Sequence, residues 1–194
     1  ADANAGSIVD IDAGILDIDV TAGTTLNTTG LTITDTTTSS ATEGGSIRLV
    51  SDDGAVMADN HRLGVIEFAG AEDTSNTISV GARIQAICRD AWDGSNNDAD
   101  LEFYTTNGTT ESLVLTLDAD KLATFTGNVT IDSDTAATNL QITNSATDGD
   151  AAIQFALGGT VKYTMGVNDG ASDAFEINVG TGALGSGGGG GNVT

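Results

Sequence analysis

Proline is absent from the 194 residues of this sequence, and cysteine, histidine and tryptophan each occur once. A single cysteine, Cys88, excludes a disulfide within the chain, so cysteine usage does not report the redox compartment. Lys and Arg together number six, against 28 Asp and Glu, which gives a formal net charge of −22. That balance excludes nucleic-acid binding, because phosphate neutralisation requires clustered basic residues. The acidity instead predicts a solvated outer surface.

Aromatic residues and long hydrophobic runs are scarce as well. Aromatics make up 4% of the chain, although 39% of the residues are hydrophobic. This composition favours a thin, aliphatic core in one or two small domains over a single large globule. No apolar run approaches the roughly 20 residues of a membrane-spanning helix, and no signal peptide is visible. We therefore predict no membrane insertion.

The residues that are abundant favour strands and turns. Glycine occurs 26 times, and Thr, Ser, Asn and Asp fill most polar positions; these residues are poor in helix interiors. In the stretch 113–131, alternating leucines predict a strand, Asp118–Lys121 a turn and Leu122–Phe125 a second strand. A break at Thr126–Asn128, where a residue with positive φ is expected, precedes a third predicted strand at Val129–Ile131.

Two sets of alternating segments follow the same order along the chain. The first set predicts strands at Ser46–Val50, Leu63–Phe68, Ile78–Ile87 and Asp100–Tyr104. The second set has shorter loops, and its members Leu140–Ile142, Ala152–Phe155, Tyr163–Val167 and Phe175–Ile177 match Ile47–Leu49, Val65–Phe68, Ile78–Ala82 and Leu101–Phe103, respectively. A retained order with shrinking loops indicates duplication of one β unit.

These patterns predict an all-β chain of tandem small antiparallel modules, of sandwich or prism type. Residues 1–45 form a repetitive Asp/Thr-rich β stalk, 46–131 the first module, 132–184 a shorter related module, and 185–194 a glycine-rich linker or tail. Short aliphatic strands cannot bury a core singly. We therefore expect several chains to intertwine and share one core.

Residues that could carry catalysis are few. His61 is the only histidine, and no Gly-x-Ser-x-Gly elbow accompanies it. Carboxylate pairs are uninformative among 28 acids. The alternating run around Cys88 favours a buried structural thiol. We predict no enzymatic activity, no catalytic residue and no cofactor.

Calcium is the one metal that the sequence suggests, because the chain is rich in aspartates and calcium binds carboxylate oxygens. The four aspartates between Asp10 and Asp19 match no calcium loop and fit the water-facing side of strands. The segment from Asp93 fails as an EF-hand, because Asp98 and Tyr104 stand where glycine and glutamate are required. A weak divalent site at this segment stays an open alternative. The density of aspartates also motivates an alternative function, a secreted bacterial adhesin or surface-layer repeat that calcium stabilises.

Trp92, Asp93 and Tyr104 are the candidate receptor-facing residues. An exposed Trp92 beside Asp93, with Tyr104 at the end of a strand, would present a face on which sugars stack. The alternative is that Trp92 caps the edge of a small β core.

Several segments of this sequence form a recognisable combination: the Asp/Thr-rich lead-in, Arg62–Phe68, Gly81–Ile84, Asp100–Thr106, Leu115–Asp118 and Phe125–Ile131. Together they resemble the tail-fibre and fibre-like structural proteins of tailed bacteriophages. The resemblance covers residues 46–131 well, whereas the rest of the chain is similar only in its general character.

This resemblance implies a non-enzymatic structural component of a virion, located in an extracellular fibre or tail. It also implies a homotrimer whose partners are neighbouring virion proteins and host-surface glycans. The chain has no recognisable chaperone domain, so shaft, adaptor and decoration roles stay open. A polysaccharide-degrading spike is the least favoured alternative, since such enzymes need a longer repetitive β domain.

Overall fold

The computed structural model describes residues 23–132, 139–145, 149–169, 173–180 and 184. These residues form two antiparallel sheets and almost no helix, which confirms the predicted all-β class. No helix within these ranges has the length and hydropathy to cross a membrane. The described strands are Arg62–Ala71 (β1), Ile78–Cys88 (β2), Ala99–Asn107 (β3), Thr110–Leu117 (β4), Ala123–Phe125 (β5), Ala151–Leu157 (β6), Thr160–Asn168 (β7) and Ala174–Val179 (β8).

The described residues divide into two compact units. The first extends to Glu111 and includes Leu117–Lys121, and the second comprises Ser112–Thr116 and the described residues from Leu122 onward. One sheet has the order β1-β2-β3-β4-β5, and the other has the order β6-β7-β8. Sequential order in both sheets shows that each is a meander, as short turn-rich connections favour.

The connection between β4 and β5 confirms the turn predicted at Asp118–Lys121. The Lys121 N–H donates to the Asp118 carbonyl over 3.0 Å, and Lys121 itself adopts a positive φ of 68°. The prediction that the positive φ lies at Thr126–Asn128 is wrong. The Thr126 N–H still bonds to the Val114 carbonyl, but the strand predicted at Val129–Ile131 is absent and its apolar side chains are exposed.

Two other predicted strands are absent, Ser46–Val50 and Leu140–Ile142. Both have the alternating pattern of a strand, and their large apolar side chains are exposed. Alternation supplies a hydrophobic face but no hydrogen-bond partner, and in the described chain neither segment lies in a ladder. The strand predicted at Leu122–Phe125 is confirmed as β5, one residue shorter, and the remaining predicted strands each lie within one of β1 to β4 or β6 to β8.

The three strands β1 to β3 and the three strands β6 to β8 share one register. In the first meander the pairing skips Gly81 directly after Phe68, and in the second it skips Lys162 directly after Phe155. Aligning these bulges matches Glu102 with Glu176 across the two meanders. The sequence matches for β1 with β6 and for β3 with β8 are therefore confirmed.

The sequence match for β2 with β7 is displaced by four residues. The match between the two sequence segments aligns Tyr163 with Ile78. Alignment of the two bulges instead places Tyr163 at the position of Ala82. The loops also differ, since β6 and β7 are joined through Gly158 and Gly159, both with positive φ, as a tight two-residue hairpin turn requires.

The predicted module boundaries stay predictions. Residues 1–22 of the proposed stalk and residues 185–194 of the glycine-rich tail lie outside the described residues, and residues 23–45 contain no strand.

Candidate functional site: the apolar sheet faces

One face of the first meander is apolar across three strands. Residues directly opposite one another in neighbouring strands project to the same side of a sheet. The register therefore places on this face the rows Gly64–Ala86–Leu101, Ile66–Ile84–Phe103 and Phe68–Ala82–Thr105. Ile66 and Phe68 are 51% and 57% exposed. The strands thus present their hydrophobic side chains to solvent.

The second meander has the same face with larger residues. Its rows are Ala151–Val167–Phe175, Ile153–Met165–Ile177 and Phe155–Tyr163–Val179. Every side chain in the three rows is apolar or aromatic, yet Phe155 and Phe175 are 49% and 63% exposed. A face of this kind exceeds the isolated surface hydrophobes that are ordinary in monomers.

The described chain has almost no hydrophobic core. Its buried hydrophobic residues are Cys88 and Leu184, whereas its buried polar residues are Gln85, Thr164 and Asn168. Gln85 and Thr164 lie on the sides of their meanders opposite the apolar rows. Burial is therefore inverted relative to an ordinary half-buried sheet, in which the apolar face is covered and the polar face is wet.

A network centred on Arg83 organises the polar side of the first meander. Its guanidinium lies 3.0 Å from Glu111 and 4.2 Å above the centre of the Tyr104 ring. Glu102 accepts hydrogen bonds from the Tyr104 hydroxyl at 2.8 Å and from the Gln85 amide at 2.7 Å. Burial and the neighbouring Glu102 raise the pKa of Tyr104, so the phenol stays a donor at neutral pH.

A polar groove of about 450 Å³ adjoins this network. Its charged lining consists of Arg83 with Glu67, Glu72 and Glu111. The Ser79 hydroxyl donates to Glu72. Among the described residues, no group of three or more His, Cys, Asp or Glu side chains is arranged to hold a metal ion. The aspartates at Asp10–Asp19 lie outside the described residues, so the calcium alternative stays a prediction.

The structure separates the three candidate receptor residues. Trp92 and Asp93 lie in the β2–β3 loop, while Tyr104 lies five residues beyond the start of β3, about 17 Å along the strand. The Trp92 indole N–H donates to the Asp98 carbonyl at 3.0 Å, and its backbone N–H donates to the Met57 carbonyl. Trp92 thus anchors its own loop and does not share a sugar-stacking face with Tyr104. Receptor contact by any of the three stays a prediction.

Asp93 is likewise engaged within its loop. One carboxylate oxygen accepts the Ser95 N–H, the Ser95 hydroxyl and the Asn96 N–H at 2.6, 2.8 and 2.8 Å. These hydrogen bonds, led by the Ser95 backbone N–H, hold the pKa of Asp93 below its ordinary value. The carboxylate therefore acts as a turn-forming group, the usual role of Asp at such a position.

Cys88 is buried, as the sequence predicts for a structural thiol. Burial is the main reason that its pKa is raised, which keeps the thiol protonated and poorly nucleophilic.

The sequence predictions did not identify the apolar faces or the Arg83 network. The signal for both was present in the alternation, since Ile66 and Phe68 flank Glu67, and Gln85 stands between Ile84 and Ala86. Which residues meet across the sheet depends on the register, and the bulges that set the register are not visible in the pattern.

Comparison with protein-family models gives no match, and comparison with curated proteins gives no significant match. The resemblance to phage fibre proteins thus depends on the sequence phrases alone.

Proposed function

We propose that this chain is a structural, non-enzymatic fibre subunit that assembles with copies of itself. The supporting observation is that both meanders turn an apolar face to solvent while the described chain has almost no core of its own. A soluble chain with such faces gains most by covering them with a surface of the same kind.

The magnitudes favour association through more than one face. Fully burying a large apolar side chain contributes about 1.5–3 kcal/mol, so covering five half-exposed side chains contributes about 4–7 kcal/mol. Association costs about 4–15 kcal/mol in lost translational and rotational freedom. One face per chain therefore offsets only the lower part of this range of costs, whereas two such faces, at about 8–14 kcal/mol, offset most of it. A closed assembly of several copies uses both faces, which is the arrangement a fibre requires.

The distribution of charge also favours association through the two apolar faces. A chain with a net charge of −22 repels its copies wherever carboxylates meet. The apolar rows contain no charged residue, so these faces can approach without bringing like charges into contact. The remaining long-range repulsion is screened over about 10 Å at 0.1 M salt, and assembly should strengthen with added salt.

The finer parts of the proposal follow from the resemblance. They are a homotrimer, a place in the fibre or tail of a phage virion, contacts with neighbouring virion proteins and a contribution to attachment at host-surface glycans. The exposed apolar face on each of the two meanders supports a homotrimer, because a ring of three chains joins two different surfaces of neighbouring copies.

Multi-angle light scattering on the purified chain tests the proposal. We expect a mass of three chains of 19.4 kDa each, unchanged on adding a calcium chelator. A mass of one chain at all accessible concentrations would overturn the fibre proposal. A trimer that dissociates with chelator would favour the calcium-stabilised adhesin.

A further inference from the structure

A segment outside the sheets lies against the apolar face of the first meander. This segment, residues 46–50, is here termed the ribbon. A Cβ atom at Gly64 in β1 would lie 2.8 Å from the Leu49 Cβ and 3.1 Å from its Cδ1. No real side chain tolerates the shorter distance, so the absent side chain at Gly64 makes the space that Leu49 occupies. Leu49 and Gly64 form a knob and its socket.

The socket belongs to the apolar face. Gly64 stands in the row with Ala86 and Leu101, and these residues with Ile66 and Ile84 line an apolar depression of about 170 Å³ beside Leu49. Leu49 is itself one of the residues that line the depression, and its side chain is 50% exposed. Ile66 and Phe68 on the same face stay 51% and 57% exposed, so the ribbon of the same chain leaves much of the face uncovered.

Side-chain contact alone holds the ribbon. In the described chain, residues 46–50 take part in no strand ladder and no hydrogen bond. Ile47 and Val50 are 69% and 62% exposed. Residues 51–56 contain local turns capped by Asp52 and Asp53, and the backbone is first hydrogen-bonded to β2 and the β2–β3 loop at Met57, Asn60 and His61. Between the ribbon and Met57, no described backbone hydrogen bond ties the chain to its own sheet.

The ribbon also differs in charge from the rest of the chain. It contains Arg48 and no acidic residue, so its net charge is positive in a chain whose total is −22. A positive apolar segment is attracted to an acidic copy of the same chain.

We infer that the ribbon is exchanged between copies, with Leu49 of one chain occupying the Gly64 socket of a second chain. This inference rests on the proposed self-assembly. Exchange conserves the contact seen within one chain, since the same residues meet, and it adds burial of Ile47 and Val50 between two copies. Exchange of an identical element between copies, here from each chain to the next, is a low-cost route to oligomers.

Cysteine pairs test the exchange. Disulfide Cβ atoms are typically about 3.8 Å apart, so a ribbon free of hydrogen bonds needs to move by only about 1 Å for Leu49→Cys and Gly64→Cys to pair. We expect mild oxidation of the L49C/G64C chain to join separate chains, seen as bands of two and three chains on a non-reducing gel. The matched control is L49C/G70C, because a Cβ at Gly70 in the same strand would meet nothing within 4 Å.

The outcomes separate the two proposals. A disulfide closed within one chain, or none, in a protein that still has the mass of three chains overturns exchange and leaves the fibre subunit intact. A monomer with a disulfide closed within the chain overturns both. Cross-links to other proteins during expression but none in the purified chain would assign the socket to a different partner, and so would also overturn exchange.

A second variant does not depend on cysteine chemistry. Gly64→Val fills the socket, and we expect it to raise the concentration needed for half-assembly at least about tenfold, whereas Gly70→Val should leave it unchanged. Equal effects of the two valines, or none, would contradict a role for the socket in assembly.

Discussion

The two meanders have the same backbone plan and differ most on their polar sides. Both have a bulge after a phenylalanine in the first strand and a glutamate at the matching position in the third, Glu102 and Glu176. Where the first meander has the Arg83 network, the second has Thr164, a buried hydroxyl without a hydrogen-bond partner. What the meanders share is thus the apolar face and the register that creates it.

This difference separates two kinds of constraint. Three apolar rows at matching positions are what a common mode of assembly requires, because each row must meet another apolar surface. The polar side meets no such requirement and follows local packing. At the position of Gln85, for example, the second meander has Gly166, where a Cβ would contact the Ala151 carbonyl and lie 2.7 Å from the Ala152 Cα.

The largest expected effect comes from a charged residue on the apolar face that the two meanders share. Ile153→Asp places a carboxylate in the middle row of the second meander, and we expect assembly to be lost, since an unpaired charge in an apolar interface costs several kcal/mol. The matched control is the next residue, Gln154→Asp, which projects from the opposite side and is exposed. Light scattering compares the two variants. Loss of the trimer in both variants, or in neither, would contradict assembly through this face.

Much of this fold could be predicted from alternation and turn residues. The strand centres of β1 to β4 and β6 to β8 follow from period-two patterns, and the β4–β5 turn follows from Asp118–Lys121. The sequence segments that recur from the first meander predicted the strand order of the second. These features are local, so a few neighbouring residues determine them.

The predictions that failed concern features that depend on residues distant in the sequence. Ser46–Val50 and Val129–Ile131 alternate as well as the true strands do, but a strand requires a partner edge, which a pattern within one segment does not specify. Arg83 lies over Tyr104 because the register of β2 and β3 places the two residues opposite each other, and nothing in the alternation of either strand marks that register. The separation of Trp92 from Tyr104 has the same origin, because sequence proximity to one loop does not fix distance along a strand.

The polar difference between the meanders predicts a smaller effect, confined to the first unit. Arg83→Ala removes an ion pair whose side chains are 19% and 29% exposed, together with the contact to the Tyr104 ring. We expect a loss of about 1–3 kcal/mol in the free energy of unfolding, because partly buried ionic and cation–π contacts contribute more than exposed ones. Trp92, the only tryptophan, lies in the β2–β3 loop and reports unfolding of this unit by fluorescence in urea.

Arg89→Ala is the control for that measurement. Arg89 lies 3.0 Å from Asp120 and 3.9 Å from Asp118, and the Arg89 and Asp120 side chains are 40% and 72% exposed. Exposed or long ion pairs contribute about 0–1 kcal/mol. Equal destabilisation by the two alanines would show that the Arg83 network adds nothing beyond a surface ion pair.

The smallest expected difference between the meanders is in how the β1–β2 loop and the β6–β7 turn respond to low pH. In the β1–β2 loop, hydrogen bonds led by the Thr77 N–H, with the Thr77 hydroxyl and the Ser75 N–H, hold the pKa of Asp73 below 3.8. A lowered folded-state pKa stabilises the loop above the unfolded value, and this stabilisation is lost as the pH falls through the folded pKa. The matching turn at Gly158 and Gly159 contains no titratable side chain. Amide chemical shifts at Thr77 should therefore titrate in acid while those at Gly158 stay constant, and Asp73→Asn should abolish the difference. Parallel titration of both loops would show that acid acts on the chain as a whole and not through the Asp73 carboxylate.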